Sequence, residues 1–144
     1  MDQAKKLIFM VEDEQYIRDL YRYTLEQAGL EIVTAADGAS ALEKINKMVA
    51  DGQNPDLILL DIMLPKLNGI ELLKELKKNS LTNFLPVVLI TNLGAGDIIR
   101  QAFATGAVGY MMKARVTPYD ILELVRKFIS TPGYKMNLSD MDFD

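Results

Sequence analysis

The stretch Asp56-Leu57-Ile58-Leu59-Leu60-Asp61-Ile62-Met63-Leu64-Pro65 sets four consecutive apolar residues between two carboxylates, and a proline follows the second at a spacing of four. Such a run is too short for a helix core. It reads as a strand buried on both faces, the kind that parallel sheets covered by helices contain. Asp61 then falls at the carboxyl end of the strand, where open α/β sheets place their ligands. On this stretch alone a second reading stays open, because Asp and Pro both favour turns and Asp61 could simply begin one. Asp56 enters the strand at the opposite edge and reads as a turn residue.

Working outward, the pattern repeats. Before the stretch, Leu7–Val11 is an apolar run followed by Glu12-Asp13-Glu14. Ile17, Leu20, Tyr21, Thr24, Leu25 and Ala28 then recur at helical spacing, with Gly29 as the C-cap. Glu31–Ala35 is a second strand, Asp37-Gly38 marks a turn, and Ala41, Leu42, Ile45, Met48 and Val49 form the apolar face of a second helix. Breakers at 51–55 end that helix. After the stretch, Asn68-Gly69 opens a third helix with Ile70, Leu73, Leu76 and Leu72 inward. Glu71, Lys74, Glu75, Lys77 and Lys78 read as its solvated face. Pro86–Ile90 is a fourth strand, 91–96 a loop, 97–105 a short helix closed by Gly106, and Val108–Met112 a fifth strand followed by Lys113. Thr117-Pro118-Tyr119-Asp120 is a helix start with Thr as N-cap and Pro at the first helical position. Ile121, Leu122, Val125, Phe128 and Ile129 form that helix's apolar face, and Thr131-Pro132-Gly133 breaks it.

Five strands alternating with five helices predict an α/β fold with a parallel sheet, helices on both faces and right-handed crossovers. The expected organisation is one domain over residues 5–130 and an acidic tail over 131–144. The tail sets Lys135 against Asp140, Asp142 and Asp144, and also holds Met136, Leu138, Met141 and Phe143. Its default reading is a frayed terminus, with a docking segment as the alternative.

Composition narrows the chemistry. The chain has 144 residues, 49% of them apolar, and a net charge of −4, which does not suggest direct contact with nucleic acid. No apolar run is long enough to span a bilayer or to form a signal-peptide core, so the expected setting is cytoplasmic, with no membrane partner. There is no Cys and no His. Thiolate and Ser-His-Asp mechanisms are therefore excluded, and any metal must bind through oxygen, which favours Mg²⁺ or Ca²⁺. In a parallel sheet all carboxyl ends share one edge. That brings Glu12-Asp13, Asp61, Thr91 and Lys113 together from four parts of the chain. Crowded carboxylates repel unless a cation compensates them. A divalent metal, a lysine and a hydroxyl around a carboxylate nucleophile are equipment for holding a phosphoryl group.

This constellation resembles the receiver domain of two-component response regulators, of the single-domain, chemotaxis-regulator-like kind. The resemblance rests on Glu12-Asp13 after the first strand, Asp61-Ile-Met-Leu-Pro65 with Gly69, Thr91 after the fourth strand, and Tyr110 three residues before Lys113. It implies a flavodoxin-like doubly wound (βα)5 fold with sheet order 2-1-3-4-5. It further implies that Asp61 is a phosphoacceptor supplied by a sensor histidine kinase or a phosphotransfer protein. Mg²⁺, or Mn²⁺, would be held by Glu12, Asp13, Asp61 and the backbone carbonyl of Met63. Lys113 and Thr91 would bind the phosphoryl group, and Thr91 and Tyr110 would act as the switch. The chain would be no enzyme beyond its own phosphorylation and slow dephosphorylation. Output would pass through the face of the fourth helix, fifth strand and fifth helix to a downstream protein or a second copy, drawing on Ile98, Gln101, Met112, Arg115 and Tyr119. No output domain follows the fifth helix in this sequence, so a stand-alone receiver and part of a larger protein both fit.

Two departures and three rivals go with this. The family usually has a cis proline after the lysine, and Ala114 stands here, which puts the reach of Lys113 in question. Met63 and Leu93, two residues after Asp61 and Thr91, cannot orient an attacking water. A haloacid-dehalogenase-type phosphohydrolase would need a second acid where Met63 stands. A nucleotide or flavin module would need a third glycine after Gly94-Ala-Gly96, where Ile99 stands. A degenerate receiver serving only as a protein-interaction scaffold is the alternative that Ala114 keeps open. Asp13 could also cap the first helix.

Overall fold

The structure, a computed structural model, describes residues 5–140. Its strands are β1 (Leu7–Val11), β2 (Glu31–Ala35), β3 (Leu57–Leu60), β4 (Val87–Thr91) and β5 (Gly109–Met112). Its α-helices are α1 (Gln15–Gln27), α2 (Gly38–Ala50), α3 (Gly69–Lys78), α4 (Gly96–Thr105) and α5 (Pro118–Ser130). All five strands are parallel, in the order β2-β1-β3-β4-β5. This is the predicted flavodoxin-like order, and the chain's direction of winding reverses between β1 and β3.

The opening stretch behaves as a doubly buried strand. Successive side chains leave a strand on opposite faces. Leu57 and Leu59 therefore join one core with Ile8, Met10, Leu25, Ile121 and Val125, while Ile58 and Leu60 join another with Phe9, Val11, Leu73, Leu76 and Ile99. The first core lies under α1 and α5, the second under α2, α3 and α4. Leu57, Ile58 and Leu60 are 0% exposed. At about 1.5–3 kcal/mol for each fully buried aliphatic side chain, this run is a principal anchor of the fold. Asp56 does more than turn the chain: its carboxylate accepts the Leu7 N–H at 2.7 Å and its own N–H donates to Leu7 O, starting the β1–β3 ladder.

Local signals set the helix starts. Thr117 and Asp120 form a reciprocal capping box, as the spacing predicts. Asn68 caps α3 by accepting the Glu71 N–H at 3.0 Å. Three expectations are corrected here. Asp37 is the N-cap of α2, accepting the Ser40 N–H at 2.7 Å, and not a free turn residue. Asp13 does not cap α1; Glu14 holds that position, without a side-chain cap. Lys77 is half-buried and not on a solvated face, since its ammonium donates to the carbonyls of Asn83 and Leu85.

The tail also departs from its default reading. Within 131–140, Tyr134, Met136 and Leu138 pack against the two cores, and the Met136 N–H donates to Val108 O at 2.8 Å. Met141 and Phe143 lie outside the described residues. Among the described residues no helix is long and apolar enough to cross a membrane.

Candidate functional site

The ladder itself carries the site residues to one edge. Val11 pairs with both Ala35 and Leu60, and the hydrogen bonding runs one residue past the strands. Glu12 N–H donates to Ala35 O at 3.0 Å and Asp61 N–H to Val11 O at 3.2 Å. Glu12 and Asp61 are thus fixed by main-chain bonds, 3% and 5% exposed. A buried charge needs a partner. Lys113 provides it for both: Nζ lies 2.5 Å from Glu12 Oε1 and 2.6 Å from Asp61 Oδ2. The other oxygens are engaged as well. Asp61 Oδ1 accepts the Met63 N–H at 3.0 Å, and Glu12 Oε2 accepts the Glu14 N–H at 3.1 Å.

Burial pushes the Glu12 carboxyl above its usual range, against the opposing pull of Lys113 and the Glu14 N–H. Burial alone would lower Lys113, but its hydrogen bonds to Asp61 and Glu12 outweigh that and hold it above the ordinary lysine value. Lys113 therefore stays a cation and Glu12 is the strained member.

Asp13 is exposed and completes the acidic group: oxygens of Glu12, Asp13 and Asp61 lie within 4.8 Å of one another. Three carboxylates against one ammonium leave the group two charges negative, which matches one divalent cation. An all-oxygen donor set suits a hard ion such as Mg²⁺. On donor chemistry and on charge, the residues fit the metal.

The loop after β3 closes tightly behind Asp61. Gly69 N–H donates to Ile62 O at 2.9 Å, and a Cβ on Gly69 would stand 2.4 Å from Asp61 O. Gly38 is equally constrained, since a Cβ there would meet Leu67 O at 1.7 Å. In sequence, Asp37-Gly38 reads only as a turn.

Ala114 does not cost Lys113 its reach. All peptide bonds of the described residues are trans, and β5 runs into a 3₁₀ turn over Lys113–Arg115. The Ala114 N–H donates to Asn92 Oδ1 at 2.7 Å, a bond that a proline could not make. Asn92 is thus a positioning residue that the sequence reading missed. Arg18 is another, its guanidinium donating to Glu12 O at 2.9 Å. Arg18 is one charged residue among several on α1, so only the fold marks it out.

Thr91 is fully buried at the end of β4, and its hydroxyl accepts the Leu93 N–H at 3.2 Å, which leaves its proton for donation. Tyr110 is 6% exposed, with its ring in the core under α2, α3 and α4. Of the residues expected on the output face, Ile98 and Gln101 line a cleft with Met63, Ile70 and Leu93; on the same helix, Arg100 and Ala104 lie beside the tail.

Comparison with known proteins gives a consistent result. A family model described as "Response regulator receiver domain" matches residues 8–134. The alkaline phosphatase synthesis transcriptional regulatory protein PhoP of Bacillus subtilis is 35% identical, over 95% of this chain and 56% of the relative. The phosphate regulon transcriptional regulatory protein PhoB of Escherichia coli is 40% identical, over 83% of this chain and 48% of the relative. The chain spans about half the length of these curated relatives. Among solved structures, the phosphorylated cyanobacterial phytochrome response regulator RcpA superposes with a TM-score of 0.80 at 28% identity, covering 93% of this chain and all of that one. The chemotaxis protein CheY4 of Vibrio cholerae gives 0.76 at 30% identity, covering 87% and 99%.

Proposed function

The chain belongs to the response regulator receiver family, and from that premise we propose that Asp61 is its phosphoacceptor, charged by a phosphohistidine on a sensor kinase or phosphotransfer protein. A carboxylate oxygen of Asp61 attacks phosphorus, the P–N bond breaks, and the imidazole leaves with the electron pair and takes up a proton. The observation that carries this reading is the Lys113 ammonium held between Glu12 and Asp61, at the convergence of β1, β3 and β5. It stands where the phosphoryl oxygens would bring negative charge. Glu12, Asp13, Asp61 and the backbone carbonyl of Met63 would hold Mg²⁺ or Mn²⁺, which supplies charge neutralisation for the phosphoryl oxygens when bound. Thr91 donates its hydroxyl proton to the phosphoryl group, and Tyr110 changes rotamer as Thr91 moves.

The chain's chemistry under this reading is confined to its own phosphorylation and dephosphorylation. The signal then passes from the β4–β5 side of the site to a downstream protein or a second copy. Incubation with Mg²⁺ and acetyl phosphate, followed by intact mass, tests it. A phosphate adduct that is lost in Asp61→Asn supports the reading. No adduct on the wild-type chain overturns it in favour of a phosphorylation-independent scaffold.

A further inference from the structure

β5 is an outer strand of the sheet, and an outer edge presents main-chain groups that invite another strand. Natural edges are blunted by lysine, proline or bulges, yet Gly109-Tyr110-Met111-Met112 carries no charge and no proline. The tail takes over that role. Tyr134 and Met136 are half-buried while Lys135 and Asn137 are exposed, the period of two that an extended chain gives, and a 3₁₀ turn over Leu138–Asp140 then brings Leu138 inward. The Met136 N–H donates to Val108 O at 2.8 Å, and Met136 Sδ accepts the Tyr110 N–H at 3.4 Å. Tyr134 and Met136 pack on the core under α1 and α5, and Leu138 on the core under α2, α3 and α4. The segment therefore crosses the edge from one face of the sheet to the other.

Its seat is shaped to fit. The Tyr134 ring meets Phe128 edge-on at 4.8 Å, and the Lys127 ammonium stands 4.7 Å from its centroid. A Cβ on Gly109 would come within 2.9 Å of Met136 Sδ and 2.8 Å of Phe128 Cζ, so glycine at this strand position makes room for the segment.

We propose that residues 134–140 are a detachable edge guard that keeps β5 from pairing with the β5 of a second copy. At Met136 the guard is held to the edge by an N–H···O bond and a bond to sulfur, a weak acceptor. Its release exposes the Tyr110 N–H and the Val108 carbonyl side by side. An edge offering one donor and one acceptor is self-complementary about a two-fold axis, so a second copy of the same strand is the partner it fits. The proposal is independent of the phosphoryl chemistry above.

The test uses the full chain and two variants that leave β5 itself untouched, Met136→Gly and Leu138→Ser. Amide exchange at Tyr110 and sedimentation equilibrium are read together. The expected result is exchange at Tyr110 about ten-fold faster in both variants, with dimers at a protein concentration where the wild type is monomeric. Faster exchange without dimers overturns the proposal, as does unchanged exchange. A wild-type chain that dimerises as readily as the variants also overturns it.

Discussion

Lys113, at the end of β5, spans β4 to place its ammonium 2.6 Å from the Asp61 carboxylate at the end of β3. The same nitrogen lies 2.5 Å from Glu12 at the end of β1, so one side chain ties three strand ends together. Its side chain is only 12% exposed, and the two carboxylates are less exposed still. Removing the cation leaves both acids buried without it. Breaking a buried pair from one side costs about 3–5 kcal/mol, because the remaining charge is uncompensated. Lys113→Met should therefore lower the urea midpoint by an amount equivalent to about 3 kcal/mol in the absence of divalent ions. Asp61→Asn should cost far less, since Glu12 keeps its partner. Equal losses in the two variants would contradict this division of roles.

Gly69 and Asp61 are linked sterically. A methyl group at position 69 would sit 2.4 Å from Asp61 O and 2.6 Å from Ile62 Cα, both backbone atoms that no side-chain rotation can clear. Gly69→Ala must shift either the start of α3 or the peptide that joins Asp61 to Ile62. Overpacking of this kind costs about 1–3 kcal/mol. The expected outcome is that loss in thermal unfolding together with slower formation of the acetyl phosphate adduct. Adduct formation at the wild-type rate would show that the loop can relax without moving Asp61.

These two cases explain what the sequence exposed and what it hid. Glu12, Asp13, Asp61, Thr91 and Lys113 each end or follow an apolar run of four or five residues. Parallel topology sends all such ends to one edge, so their convergence follows from pattern alone. Asn92 acts by accepting the Ala114 N–H and Arg18 by donating to the carbonyls of Glu12 and Asp13, and no periodicity encodes such bonds. Asp37-Gly38 reads as a turn because turns and helix N-caps favour the same residues. In the tail, Tyr134 and Met136 alternate with Lys135 and Asn137 as an extended chain would, a signal too short to read on its own. A segment at the end of a sequence reads as frayed by default, and only the contacts with β5 overturn that reading.

Lys77 shows the same limit and yields a pH prediction. On a helical wheel it belongs with Lys74 and Lys78. In the fold its ammonium is drawn inward by the carbonyls of Asn83 at 2.9 Å and Leu85 at 2.8 Å. Burial lowers its pKa from the ordinary lysine value. Between the lowered folded value and the unfolded one, the unfolded chain binds more protons, so this group's contribution to stability rises with pH. Wild type should thus gain stability relative to Lys77→Gln as pH is raised from about 8 to about 10.4, the unfolded lysine value. Urea unfolding of both proteins at the two pH values reads the difference. A gap that narrows or stays constant would show that the ammonium is not desolvated in the folded state.

Under the proposed function, the lifetime of a phosphoryl group on Asp61 would follow from what stands beside it. Hydrolysis needs a water held in line with phosphorus by a group that can accept or donate a hydrogen bond. Met63 is 59% exposed and has only a thioether to offer, and Leu93 has no polar atom at all. Both form the wall of one cleft with Ile62, Ile70 and Ile98, next to the polar Asn68, Glu71, Lys74 and Gln101. Residues 63 and 93 therefore offer no group to orient a water, and the aspartyl phosphate should persist well beyond seconds in the isolated chain. Met63→Gln, which restores both a donor and an acceptor at that wall, should shorten the lifetime without changing the extent of initial phosphorylation. Loss of the adduct within seconds in the wild type, followed by intact mass after acetyl phosphate is removed, would refute the assignment of these two residues.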